Sequence, residues 1–173
     1  MNNLSKISKT ILVIVFISYA LWIGSYVAKN LILFQFYEPE TMALRGVFEK
    51  ADFLSIFYAF FPVVTLNVIC YALFVILFLV FVFTSRLKLR YNGWLFISLL
   101  VVVLTLPIEL YLIFKYDLNF IADTNNLSIS AQPALEMIKQ RVVKFGMYSF
   151  ISIFSTLSII LFFVFKPLTK NEN

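Results

Sequence analysis

Residues 104–117 read LTLPIELYLIFKYD, an apolar run in which a carboxylate, Glu109, stands two positions after a proline, Pro107. Proline removes one helix hydrogen bond and can bare the carbonyl four residues earlier, here that of Val103. A carboxylate beside a bared carbonyl offers two acceptors to a proton or a cation. Glu109 precedes Lys115 by about six residues, roughly 9 Å at 1.5 Å per residue, and ionisable groups at that depth face a partner or a polar cavity. Lys29 lies at a similar depth in the first apolar run. A Lys29–Glu109 pair joined by a charge-assisted hydrogen bond is geometrically open. The alternative is that Lys29 snorkels outward and Glu109 reaches interfacial water independently.

A second set of polar residues lies in the run that follows Pro62, where Asn67, Cys70 and Tyr71 share one helical face. Polar side chains within a membrane act most often as interhelical hydrogen bonds worth about 1 kcal/mol or less. The remaining inventory is short of catalytic groups. The chain has no His to serve as a base, no pair of intramembrane Asp residues, no metal-ligand cluster and no Gly-rich phosphate loop. Cys70 is alone, so no disulfide forms within the chain, and neither His nor a nearby cation is placed to make it a thiolate. Glu38, Glu40 and Asp123 match no cation-loop spacing. The expectation is a chain that is not an enzyme and carries no cofactor and no metal.

The elements that must position these residues follow from composition. Of 173 residues, 62% are hydrophobic and 13% charged, against roughly 45–50% apolar and about 25% charged in a soluble domain. Four runs are long enough to cross a hydrocarbon core of about 30 Å: residues 10–36, 53–84, 91–114 and 145–165. In lipid a continuous backbone must satisfy its own polar groups, and no run alternates like a barrel strand. The chain therefore reads as all-α, one polytopic domain over residues 1–173 with four transmembrane helices. The first run is too long for a secretory leader, and Tyr26 and Ala28 make a poor cleavage site.

Lys6 and Lys9, then Arg86, Lys88 and Arg90, then Lys166 and Lys170 lie close to the spans on one side, which favours cytoplasmic N- and C-termini. Glu38, Glu40, Glu49, Asp52, Asp117, Asp123 and Glu136 fall on the other side. The net charge of +5 sits at helix ends, where it anchors orientation and meets anionic headgroups, so the lipid bilayer and not nucleic acid is the expected partner. After Ser130, the stretch AQPALEMIKQRVVK begins a helix near residue 131. The fourth helix then projects about ten residues, roughly 15 Å, past the hydrocarbon on the non-cytoplasmic side. Residues Glu40 to Asp52 prolong helix 2 outward in the same way if Gly46 is tolerated. Asn126-Leu127-Ser128 matches the glycosylation pattern, relevant only in a eukaryote.

Two faces are suited to close helix packing. Ala20, Gly24 and Ala28 repeat every four residues in the first helix, and Gly146, Ser149, Ser152 and Thr156 form one stripe in the fourth. Both are expected to meet protein. Phe74, Phe78 and Phe81 suit either lipid or an apolar partner, and Trp22 lies deeper than an interfacial belt requires. Helix count resembles that of tetraspanin-like proteins and small multidrug exporters. The lone cysteine lacks the disulfide-bearing outer loop of the former, and the first helix lacks the glutamate of the latter, so neither family is assigned. The expected function is that of a non-catalytic integral membrane subunit or accessory protein packing against other membrane subunits, located in a bacterial cytoplasmic membrane. The alternative is an oligomeric channel or small transporter in which Glu109, Lys29 and Asn67 line a polar path.

Overall fold

The computed structural model describes residues 5–48, 52–85, 89–122 and 131–168. Arg86, Lys88, Lys170, Glu49, Asp123, Ser130 and the tripeptide Asn126-Leu127-Ser128 lie outside the described residues. The fold is helical throughout, with no strand among the described residues. Four helices are long and apolar enough to cross a membrane.

The first, α1 (Lys6–Phe36), starts where the Ser5 side chain accepts a hydrogen bond from the Ser8 amide at 3.1 Å. Asp52 does the same for α2 (Phe53–Thr84), accepting from the Leu54 amide at 3.1 Å. α3 (Gly93–Leu112) continues through a π-helical turn (Ile113–Asp117) into α4 (Leu118–Ala122), so that one rod of 30 residues spans Gly93–Ala122. α5 (Gln132–Phe165) begins with Pro133 in its first turn, where a missing amide proton costs nothing. Its start agrees with the expected onset near residue 131.

The expected outward prolongation of helix 2 is not formed. α2 begins only at Phe53, and residues 37–48 fold into a compact turn. The Glu38 amide donates to the Ala43 carbonyl, Met42 adopts φ 54°, and Tyr37 bridges to Leu44. Glu38 and Thr41 hydrogen-bond within this turn, and the side chain of Asp52 stops any helix from running backwards past it.

α1 and α2 pack along one another, as do α3 and α5, and α2 bridges the two pairs through α3 and α5. Within each pair the helices run antiparallel, whereas α2 and α5 run the same way, Phe81 meeting Phe163 near their C-terminal ends. The Ser8 hydroxyl donates to the Thr84 carbonyl at 3.3 Å, and at the same end the Gly93 amide donates to the Leu168 carbonyl. A Cβ at Gly93 would approach Leu168 Cβ to 2.6 Å, so only glycine fits there without a shift.

The interior is built in layers. Near the chain ends an aromatic cluster joins Tyr19, Trp22, Tyr71, Phe74, Phe78 and Phe81 to Trp94 and Ile159. Phe74, Phe78 and Phe81 thus face inward and not lipid, and Trp22 is buried among them. A second apolar cluster near the other end holds Leu33, Phe57, Phe60, Val64, Phe120 and Ile138. Between the two, each helix contributes polar side chains.

Candidate functional site

On α1 the buried positions Ser8, Leu12, Val15, Tyr19, Trp22, Tyr26, Lys29 and Leu33 follow one another at steps of three or four. That seam carries Lys29 into the interior between the two apolar clusters. α2 contributes Asn67, between Val64 and Cys70, and α3 reaches the level of Lys29 at Glu109. α5 reaches it at Arg141, one turn beyond Ile138.

A fifth polar group, Asp117, comes from the π-helical turn. In an uninterrupted α-helix, eight residues after Glu109 falls about 80° past two full turns, off the Glu109 face. The wider π turn, which starts six residues after Pro107, takes up most of that angle. Asp117 therefore lands inside the bundle, fully buried, while Lys115 stays on the surface beside Tyr111.

Lys29, Asp117, Arg141 and Glu109 form a row of alternating charge whose side chains are at most 2% exposed. The Lys29 ammonium donates to Asp117 Oδ1 at 3.5 Å. Arg141 Nη1 contacts Asp117 Oδ2, and Arg141 Nη2 donates to Glu109 Oε2 at 3.4 Å. The direct Lys29–Glu109 contact that depth alone allowed is replaced by this relay: Asp117 takes the lysine, and Glu109 takes the arginine. Neither end group reaches interfacial water, since both are 1% exposed. Among the described residues no hydrogen bond reaches Glu109 Oε1. Tyr26 lies within electrostatic range of Arg141, its ring 5.4 Å from the Lys29 ammonium, and Tyr71 lies within range of Glu109.

The polar layer extends to Asn67, which donates to Ser25 Oγ at 3.0 Å and to the Trp22 carbonyl at 3.3 Å, locking α2 to α1. Ser149, Ser152 and Thr156 of the α5 stripe are buried and Gly146 is half-buried; Thr156 accepts from the Tyr19 hydroxyl at 3.3 Å. This stripe serves the protein's own core. The α1 groove behaves oppositely: Ala20 and Gly24 are exposed and Ala28 half-buried, and a Cβ at Gly24 would meet nothing within 4 Å.

Lys29 and Glu109, whose depths matched, are thus joined through Asp117 and Arg141, whereas Asn67 bonds one to two turns away on α1, at Ser25 and Trp22. Two members of the centre escape a reading by span. Asp117 looks like an outer-loop acid beyond the third apolar run, and Arg141 looks like part of a solvated extension. For Arg141 a signal exists: stepping back from Ser149 by two turns of four residues along the small-residue stripe passes Phe145 and arrives at Arg141. No protein-family model, curated protein or solved structure matches the chain.

Proposed function

We propose that the protein is a non-catalytic integral membrane subunit or accessory protein that docks a helix of another membrane subunit on the outward face of α1. The supporting observation is the contrast between its two kinds of small or polar surface. Charged and hydroxyl-bearing groups close on one another inside a single chain, whereas Ala20, Gly24 and Ala28 form a shallow groove on the outside, flanked by exposed Leu21, Val27 and Leu31. Small residues let a partner backbone approach closely, which is what drives helix association where lipid and side chain are equally apolar. In this reading both termini are cytoplasmic and the membrane is a bacterial cytoplasmic membrane.

Gly24→Leu tests it. Nothing in the chain opposes a side chain at this position, and replacing a mid-helix glycine favours the helix by up to about 1 kcal/mol. The variant should fold as well as the parent yet lose whatever co-purifies with the parent in native lipid particles. Retention of the partner by a folded Gly24→Leu variant would reject α1 as the docking face.

A second reading is transport, favoured by the buried charges, since intramembrane ionisable groups mark ion pathways by default. Lys29, Asn67 and Glu109 face the inside of one chain, so a path in this reading runs through the bundle and not between subunits. Proton or cation flux in proteoliposomes that is abolished by Glu109→Gln would move the assignment to this class.

A further inference from the structure

In the row Lys29–Asp117–Arg141–Glu109, the inner two members touch directly, whereas each outer member is held by a single long contact, 3.5 Å for Lys29 and 3.4 Å for Glu109. Well-formed charge-assisted bonds run about 2.7–2.9 Å. Arg141 cannot give up its proton. It and Asp117 therefore form a permanent, self-neutral pair.

The outer members are different in kind. Lys29 and Glu109 carry opposite charges, so they can be ionised together or neutral together without changing the charge of the centre. The neutral form removes two charges from an interior sealed above and below by apolar clusters, where unscreened charge is most costly.

We infer that Lys29 and Glu109 are a proton-sharing couple, with Asp117 and Arg141 as the fixed pair between them. The two states differ by the place of one proton, on the Lys29 ammonium or on the Glu109 carboxylic acid, and no electrons change hands; the two groups are not in contact, so they exchange it as coupled sites and not by a direct hand-over. The other charged or titratable groups facing the couple are Asp117 from the π turn, Arg141 from α5, Tyr26 from α1 and Tyr71 from α2. In the neutral state Glu109 no longer holds Arg141 by charge, and Arg141 stays tied to the π turn through Asp117. The inference is independent of whether the chain docks a partner or moves an ion.

The test is infrared spectroscopy of the full-length protein reconstituted in phosphatidylcholine–phosphatidylglycerol vesicles at neutral pH, where exposed carboxyl groups are ionised. The parent should show the stretching band of one protonated carboxyl group, shifted in deuterium oxide. Glu109→Gln should remove the band. Lys29→Arg should also remove it, because arginine retains its proton and keeps Glu109 charged. Lys29→Met should keep it, because an ionised Glu109 would then leave the buried centre with one unbalanced negative charge. A parent without the band shows both groups to be permanently charged and overturns the inference. A band that survives Lys29→Arg overturns the sharing, and one that survives Glu109→Gln assigns the proton elsewhere.

Discussion

Arg141→Met is expected to destabilise the bundle by about 3–5 kcal/mol, the cost of breaking a buried ion pair from one side. This arginine is the only described group that touches both carboxylates of the centre, and it is 2% exposed. Its loss leaves Glu109 with no charged partner, and Asp117 with only the long contact to Lys29. Against a total stability of about 5–15 kcal/mol for a folded domain, that loss is a large share. Glu109→Gln should cost less, since Arg141 keeps Asp117 and the amide oxygen can still accept. Arg141→Lys should restore only part of the loss, because an ammonium is a point charge that cannot fork between two carboxylates.

The protein carries a built-in reporter for this comparison. Cys70 is its single cysteine and is 4% exposed within the aromatic cluster of α1 and α2. Alkylation of Cys70 by a thiol-reactive dye during heating in detergent follows opening of the bundle. The Arg141→Met midpoint should fall well below that of Glu109→Gln. Equal midpoints for the parent and Arg141→Met would mean that the row of charges contributes nothing to folding.

The spans were legible because they rest on a coarse property, a run of apolar residues long enough for lipid: α2 coincides with its run, α1 starts four residues before its own, the third rod ends eight residues past its run, and α5 starts where its expected extension begins. The level of Lys29 and Glu109 was legible too, because depth along a helix is fixed by 1.5 Å per residue. Partnership was not, for a local reason. Whether Asp117 faces Lys29 depends on a helical register that changes between Leu112 and Leu118, and nothing in an apolar sequence announces a π turn. Arg141 was obscured by its neighbours. Lys139, Lys144 and Glu136 are exposed or half-buried on the same helix, so the segment has the composition of a solvated extension although one of its faces is core. The Phe-rich face of α2 illustrates the converse limit: in a membrane, apolar character does not distinguish inside from outside, because lipid tails are as apolar as leucine.

The complementary experiment removes the centre entirely. A quadruple variant with Lys29→Met, Glu109→Met, Asp117→Leu and Arg141→Met leaves no charge unpaired and replaces polar stems by apolar groups of similar length. Buried ionic networks exchanged for well-packed apolar residues have been neutral or stabilising by about 1–4 kcal/mol. The quadruple variant should therefore recover what Arg141→Met loses, so four substitutions are expected to cost less than one. Such non-additivity is the signature of groups in one network. The Cys70 alkylation midpoint measures it directly, and a midpoint below that of Arg141→Met would show that the polar layer holds the fold through its shape and hydrogen bonds. Recovery carries the stronger consequence. If the same four helices stand as firmly without the charges, folding does not explain their presence at this level of the bundle. The centre must then act in what the protein does, and the proton shared by Lys29 and Glu109 becomes the first thing to follow.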